Sequence, residues 1–320
     1  MKGIIDLHCD TVLLSAVAGE NIRSWNGHIN LEKLRKGGCL AQCFALFIPT
    51  HEIREKYGLP SENPWENYKW LLRKYQENLE LCADVLRPAL NAEDIRHNAG
   101  AGFISSVLTV EDCAGTDGNP ERFEEMYSDG VRMAALTWNY ENCVGFPAFS
   151  SDPGDGEKGL KPFGFEAVEI MNSLGMIIDV SHLSEAGFWD VAKSTKKPFV
   201  ASHSCCKAIC GHPRNLTDSQ LKAIGDCGGV VGLNFFAEFL ADGGTYTDTD
   251  MVVRHLEHIR DKAGIDALAW GSDFDGFDNK IEFEDYSGFG RLLSALEGHF
   301  TDYEIEKICN GNFLRVFAGR

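Results

Sequence analysis

Short apolar runs alternate with longer, mixed stretches along most of the chain. Each run is four to nine residues long and ends in a polar residue, as expected for strands buried on both faces. The eight strands predicted in this way span residues 4–8, 40–48, 103–110, 131–137, 176–181, 199–202, 229–233 and 267–271.

The stretches between these runs carry the signals of helices. Segment 184–195 opens with a capping serine, 217–226 opens with threonine and aspartate, and 301–304 reads as a capping box. Segment 63–86 has a stripe of large apolar residues at helical spacing, formed by Trp65, Tyr68, Leu72, Tyr75 and Leu79.

Strands that alternate with helices pair in parallel, as in repeated βαβ units. Eight such units in 320 residues favour a closed barrel over an open sheet. We therefore predict an α/β fold of the (β/α)8 or TIM-barrel type, as a single domain over residues 1–320.

An irregular segment, 142–162, follows the fourth predicted strand and is long enough to be an active-site loop. Its glycines at 154, 156 and 159 match the spacing of a dinucleotide fingerprint. That motif should directly follow a buried strand and open a helix. Here it lies within the loop, so we do not expect it to bind a nucleotide.

Composition and net charge argue against some classes of binding partner. The chain is 44% hydrophobic and 24% charged, typical of a globular protein, and its net charge is -18 with a pI near 4.9. Nucleic acids and anionic membranes need clustered lysine and arginine. We therefore expect neither as a partner, and assign the acidic excess to the solvated surface.

The eleven cysteines are scattered, with no CxxC pair, and several lie within apolar segments where they would pack as small hydrophobic residues. This usage suits reducing cytosol. No apolar run reaches membrane-spanning length, and the first strand begins too early for a signal peptide. A cytoplasmic location is expected.

Candidate chemistry gathers at the ends of the predicted strands. His8 and Asp10 are two residues apart and point to the same side of an extended chain. Each residue taken alone could cap a helix or form a turn. Working groups of a barrel lie at the carboxyl ends of its strands. Six candidates fall at such ends, namely His8, Asp10, Glu111, His182, His203 and Asp273.

Three imidazoles and several carboxylates exceed the needs of one tetrahedral zinc ion. They suit two metal ions that share a bridging carboxylate and a water of lowered pKa, which predicts hydrolysis by a metal-bridging hydroxide. Zinc suits mixed nitrogen and oxygen ligands best, with manganese and cobalt as alternatives.

Segment 273–282 contains several acidic residues but does not fit a calcium loop. Its glycine, Gly276, comes at the fourth position, whereas the calcium loop has glycine at the sixth, which here is Asp278. We expect Asp273 to act as an acid or base beside the metal ions, with Asp275 and Gly276 in a turn.

Taken in order, these motifs resemble the membrane dipeptidase (renal dipeptidase) family of metallopeptidases, in the amidohydrolase superfamily. The similarity extends over nearly the whole chain. The matching motifs lie at 6–11, 110–111, 179–182, 201–204, 214–215, 271–276 and 311–316.

The resemblance implies a ligand set. His8 and Asp10 would bind one zinc ion, His182 and His203 would bind a second, and Glu111 would bridge the two.

It also implies how substrate is handled. Arg214 would bind the C-terminal carboxylate of the substrate, a role suited to the planar guanidinium, although its sequence context alone fits a surface ion pair equally well. Asp273 would relay a proton from the bridging water to the leaving amine.

One position departs from the family pattern. Animal members have a histidine that contacts the substrate carbonyl where this chain has Trp138. An indole cannot act as a base or a cation, and its N–H can at most donate a hydrogen bond. Trp138 is thus either a hydrogen-bond donor or an aromatic wall of the pocket, and in both cases a substrate-binding residue.

The resulting hypothesis is a zinc-dependent dipeptidase whose substrates include dipeptides with a C-terminal D-residue. An alternative uses the same machinery on another amide, such as an N-acyl amino acid or a lactam. A non-catalytic metal-binding barrel would be expected to lack a ligand or Asp273, and none is missing. Family analogy further implies a homodimer.

Overall fold

The computed structural model of the chain describes residues 3–150, 152 and 154–319. Ser151 and Pro153, which belong to the predicted loop 142–162, lie outside the described residues, as do Met1 and Lys2 at the start of the predicted single domain and Arg320 at its end. The strands are β1 (Ile4–Asp6), β2 (Cys39–Phe47), β3 (Leu86–Pro88), β4 (Ile104–Glu111), β5 (Val131–Ala135), β6 (Ile177–Asp179), β7 (Ala201–Ser204), β8 (Val231–Leu233), β9 (Tyr246–Thr247), β10 (Leu268–Trp270) and β11 (Lys280–Ile281).

Helices separate most of these strands. They are α1 (Thr11–Val17), α2 (Leu31–Lys36), α3 (His51–Lys56), α4 (Pro64–Leu81), α5 (Ala92–Gly100), α6 (Glu121–Ser128), α7 (Pro162–Leu174), α8 (Glu185–Ser194), α9 (Asp218–Asp226), α10 (Ala237–Leu240), α11 (Thr249–Ala263), α12 (Phe289–Leu296), α13 (Asp302–Glu306) and α14 (Asn312–Ala318). Among the residues described, none of these helices combines the length and the hydropathy needed to cross a bilayer.

Nine parallel strands form the central sheet. Eight of them are neighbours in the order β6-β5-β4-β2-β1-β10-β8-β7, and β3 pairs with β4 off this path. The two ends of this path meet at a parallel bridge between Asp179 and Val200. There the Val180 N–H donates to the Val200 carbonyl over 2.8 Å, and the Val200 N–H donates to Ile178 over 3.0 Å. Each predicted strand overlaps one of these eight, and the TIM-barrel prediction is confirmed.

Alternate side chains of the strands enter two separate hydrophobic clusters, as the period of two requires. Ile4 and Phe44 belong to the larger cluster, which includes the apolar faces of the surrounding helices. Ile5 and Cys43 belong to the smaller one, which also contains Phe313 of α14. The sheet is therefore packed on both faces, which explains its continuous apolar runs.

Helix boundaries follow the predicted signals with one correction. Thr217 and Thr301 form capping boxes with Gln220 and Glu304. The helix predicted over 63–86 is wrong at its end, because α4 stops at Leu81. Leu86 instead begins β3, which pairs with β4. Pairing with β4, a strand that comes later in the chain, outweighed the local helical pattern at Leu86.

Two buried aspartates tie neighbouring strands together at their carboxyl ends. Asp6, at the end of β1, accepts hydrogen bonds from the Ser272 N–H (2.7 Å) and hydroxyl (2.6 Å), just after β10. Asp179, at the end of β6, accepts from the N–H groups of Ser181 and Ser202, both at 2.9 Å, and from the Ser202 hydroxyl. Each carboxylate thus fixes a strand end directly beside a histidine of the predicted site.

We expect Asp179→Ala to destabilise the fold, because it leaves three buried donors without an acceptor. The loss in free energy of unfolding should be roughly 3 kcal/mol or more, measured by urea denaturation. Asp226→Ala is the matched control, since that side chain is 65% exposed and pairs with Lys222 on the surface. The control should lose no more than about 0.5 kcal/mol; equal losses in both variants would contradict the structural role of Asp179.

Candidate metal centre and active site

The six strand-end residues predicted from the sequence converge on one rim of the barrel. Glu111 is the last residue of β4, His203 lies within β7, and the others lie two to four residues after the ends of β1, β6 and β10. His8, Glu111 and His203 are only 3%, 2% and 1% exposed. The cluster therefore lies in a cup below the protein surface, at the carboxyl ends of the strands.

Glu111 occupies the middle of this cluster, and its two oxygens face different imidazoles. Its Oε1 lies 2.9 Å from His182 Nε2 and 3.5 Å from His203 Nε2. Its Oε2 lies 3.5 Å from His8 Nε2. The carboxylate thus joins two groups of ligand atoms, one on each side.

The two groups have different compositions. On one side, His182 Nε2 and His203 Nε2 approach each other to 2.9 Å. On the other side, His8 Nε2 lies 3.7 Å from Asp10 Oδ2 and 3.8 Å from Asp273 Oδ1. Ligand atoms bound about 2.1 Å from a shared ion in tetrahedral geometry would lie about 3.4 Å apart. The observed spacings bracket that value.

Several ligand atoms of these residues are buried without a hydrogen-bond partner, which indicates that their arrangement suits a bound cation. They include His8 Nε2, Asp10 Oδ1 and Glu111 Oε2. Such orphaned polar atoms are unfavourable unless an ion or water satisfies them. Gly276 completes the cup, because a Cβ there would lie 2.4 Å from Asp273 Oδ1 and 2.5 Å from Asp10 Oδ2.

Hydrogen bonds orient two of the imidazoles. His182 Nδ1 lies 2.9 Å from the Asn139 side-chain oxygen. His203 Nδ1 lies 2.8 Å from the Ser202 hydroxyl oxygen, and that hydroxyl donates to Asp179. Since both Nδ1 atoms donate, the lone pairs of both Nε2 atoms point into the cup, as metal ligation requires.

Burial shifts the protonation of the acidic groups. It raises the pKa of Glu111 to about 8, with a further contribution from Asp10, and that of Asp273 to about 6. Burial lowers the pKa of His182 and His203 well below the usual histidine range. At His8, burial is outweighed by the charges and hydrogen bonds of Glu111 and Asp10, so its pKa is raised well above the usual histidine range. The cup therefore holds two neutral imidazoles, His182 and His203, beside carboxylates that need positive charge nearby to remain ionised.

The backbone is strained at the same place. His182, Asp273 and Asp112 adopt φ angles of 67°, 60° and 75°. This left-handed region is unfavourable for side chains other than glycine, by roughly 1–3 kcal/mol each. Strain at residues that supply or adjoin the ligand atoms shows that packing holds the site in place.

Arg214 is a buried cation without an acidic partner in the part of the chain that the structure describes. It is 4% exposed, donates from NH2 to the His203 carbonyl at 3.3 Å, and leaves its Nε without a partner. Burial lowers its pKa to about 10. The ring of Phe239 lies 5.4 Å from the guanidinium carbon. A carboxylate of a ligand would complete this site.

The structure also adds residues that sequence reasoning did not assign to the site. Asn234 donates to Asp273 Oδ2 over 2.9 Å, which leaves Oδ1 on the side of His8. Asn139 orients His182, as described above. Both directly follow predicted strands or lie close to their ends, and that position was the available signal. Trp138, half-buried, has its ring centre 6.1 Å from that of His182.

Comparison with known proteins gives a consistent result. Residues 2–319 match the family model described as membrane dipeptidase, peptidase family M19. An uncharacterized protein from the pqqA 5' region of Klebsiella pneumoniae is 40% identical over 240 residues, 73% of this chain and 89% of its own. An uncharacterized dipeptidase of Schizosaccharomyces pombe is 31% identical over 305 residues, 91% of this chain and 71% of its own.

Two solved structures have folds closely similar to that of this chain. A metallopeptidase from Rhodobacter sphaeroides, liganded with a phosphinate mimic of L-Ala-D-Ala, superposes with a TM-score of 0.90 at 26% identity over 98% of both chains. The family M19 dipeptidase AC superposes with a TM-score of 0.88 at 25% identity, over 98% of this chain and 97% of its own.

We expect Asn139→Ala to weaken metal binding, because His182 would lose the acceptor that fixes its tautomer. Loss of such a partner typically costs 10–100-fold in metal affinity, measurable by competition with a chelator. Asn139→Asp keeps an acceptor oxygen and should bind metal at least as well as the wild type. If both variants lost affinity equally, or neither did, the hydrogen bond would not have this role.

Proposed function

Because this chain belongs to the membrane dipeptidase family of metallopeptidases, peptidase family M19, we propose that it is a zinc-dependent enzyme that hydrolyses the peptide bond of dipeptides with two bound ions. The observation that carries the proposal is the position of Glu111. One of its oxygens faces His182 and His203, and the other faces His8.

The residues of the cup fit two ions. His8, Asp10 and Glu111 would hold one, and His182, His203 and Glu111 would hold the other. Mixed nitrogen and oxygen donors suit zinc, and manganese or cobalt could occupy the same ligands. When such ions are bound, the chemistry they supply is polarisation of the peptide carbonyl and a water of lowered pKa that serves as nucleophile.

Arg214 supports a substrate with a free carboxylate beside the scissile bond. Its guanidinium is buried beside His203 and is not paired with an acidic side chain among the described residues. A dipeptide carboxylate bound there would be held by charge-assisted hydrogen bonds. The Rhodobacter relative, which binds a mimic of L-Ala-D-Ala, supports including C-terminal D-residues among the substrates.

Asp273 would transfer the proton from the attacking water to the departing amine. Asn234 holds its Oδ2, and its Oδ1 lies 3.8 Å from His8 Nε2, on the cluster side. In that position Asp273 accepts the proton of the attacking water and delivers it to the departing amine. Burial raises the pKa of Asp273 to about 6, closer to neutral pH than that of an ordinary aspartate.

An N-acyl amino acid or a lactam would present the same carboxylate to Arg214, so these amides are the second candidate substrates. For hydrolysis of dipeptides, the only charged partner that the protein requires is the dipeptide itself. We further propose a cytoplasmic location, which the scattered and mostly buried cysteines support. A homodimer is proposed on family similarity alone.

The first test is a panel of L-L and L-D dipeptides given to metal-free protein before and after zinc is added. We expect cleavage only with zinc, and Asp273→Asn should lower kcat by at least about 100-fold, because an amide cannot accept the proton. Release of free amino acids is the readout. If the metal-loaded protein left every dipeptide intact, N-acyl amino acids and lactams would become the leading candidates.

The second test addresses Arg214. Arg214→Met keeps the apolar stem but removes the charge, so kcat/KM for dipeptides should fall by about 10–100-fold. The wild type should prefer a dipeptide over its C-terminal amide, and the variant should lose this preference. Arg96→Met is the matched control, because Arg96 is 47% exposed on α5. Retained discrimination in Arg214→Met would place the carboxylate elsewhere.

A further inference from the structure

The order of strands sets the direction in which a substrate crosses the cup. Arg214 lies in the segment that follows β7 and contacts the His203 carbonyl within that strand. In the eight-stranded ring, the strand farthest from β7 is β2, four positions away in either direction. The cluster around Glu111 lies between these two sides. A substrate held at Arg214 by its C-terminal carboxylate therefore extends across the metal ligands toward β2.

The side of the mouth at β2 is aromatic. Phe47 is the last residue of β2 and is the register partner of Glu111 on β4. Partners on neighbouring parallel strands project from the same face. Phe47 therefore emerges beside the bridging carboxylate. Its ring centre lies 4.9 Å from that of Trp138 and 6.2 Å, edge to face, from that of Tyr57.

These three rings, which we call the aromatic wall (Phe47, Tyr57 and Trp138), adjoin the metal ligands directly. Trp138 stands 6.1 Å from His182 between ring centres. The carboxylates of Asp10, Glu111 and Asp273 reinforce the effect of burial in raising the pKa of Tyr57 to about 12. The wall offers apolar rings and lies beside three carboxylates, so a ligand group that contacts it should be apolar and should not be an anion.

The loops after β2 and β5, which carry residues of the aromatic wall, contact each other. His51, which opens α3 after β2, stacks on Tyr140 with ring centres 4.4 Å apart. The Tyr140 hydroxyl donates to Glu52 over 3.1 Å, and the Tyr140 ring lies 5.8 Å from that of Trp138. Side chains from the β2 and β5 loops thus lock together above the wall, which gives it a defined position relative to Glu111.

A dipeptide has the length to extend from Arg214 past the neighbouring His203. Two residues of extended chain span about 7 Å, so a dipeptide with its C-terminal carboxylate at Arg214 would direct its N-terminal residue toward the side of β2. We propose that the aromatic wall is the subsite for the side chain of the substrate's N-terminal residue, and that it selects apolar and aromatic side chains over small or anionic ones. This inference rests on the proposed dipeptidase function and adds its substrate class.

The test compares zinc-loaded wild type and variants on dipeptides with a constant C-terminal alanine and an N-terminal Gly, Ala, Leu, Phe, Asp or Lys. In the wild type, kcat/KM should rise with apolar area, and Phe-Ala should exceed Gly-Ala by about 10–100-fold. Asp-Ala should be the poorest substrate, because its side chain would be repelled by the carboxylates beside the wall. Trp138→Ala should reduce the ratio of Phe-Ala to Gly-Ala to within about threefold.

Trp189→Ala is the matched control, because Trp189 is half-buried on α8, where it packs against Phe188. It should keep the wild-type ratio. A wild-type ratio near one, or an unchanged ratio in Trp138→Ala, would overturn the subsite and leave the dipeptidase function intact. No cleavage of any dipeptide by zinc-loaded wild type would overturn both. If Trp138→Ala does not fold, the wild-type series decides by itself.

Discussion

The desolvation of the Glu111 carboxylate is the constraint on which the site depends. A carboxylate buried beside Asp10 and Asp273 loses its hydration and is repelled by its neighbours, which is why burial raises its pKa to about 8. Its Oε1 faces His182 and His203, whose pKa values burial lowers well below the usual histidine range, so these two imidazoles do not offset its charge. A cation held between these groups would offset the charge of the buried carboxylates, so the electrostatics of the cup favour metal binding.

Hydrogen bonds at the strand ends of the barrel hold the side chains of this site in position. Asp6 and Asp179 use their carboxylates for strand-end donors, which holds β1 to β10 and β6 to β7 near His8 and His203. Asn139 and the Ser202 hydroxyl orient the imidazoles through their far nitrogens. With these contacts in place, His182 and Asp273 tolerate strained backbone angles. Stability and ligand geometry are therefore supported by the same hydrogen bonds.

The mouth of the barrel has two chemically distinct sides around this centre. A buried guanidinium with no acidic partner among the described residues lies on the side of β7, and uncharged rings lie on the side of β2. Charge on one side and apolar surface on the other can orient a short substrate in one direction only. Trp138 belongs to the apolar side, with its ring centre 6.1 Å from that of His182.

Much of this protein was readable from its sequence because the relevant signals are local. Apolar runs predicted the eight strands, and polar residues at their ends predicted the residues that the fold brings to one rim. Contacts between distant segments decided the rest. Leu86 became a strand because β4 was beside it, and the Asp275 carboxylate, expected only in a turn, accepts hydrogen bonds from Thr11, Trp25 and His28. The roles of Asn139 and Asn234, and the placement of Phe47 opposite Arg214, depend on which strands become neighbours. A residue's own surroundings in the chain set its secondary structure, whereas the closure of the ring determines what its side chain faces.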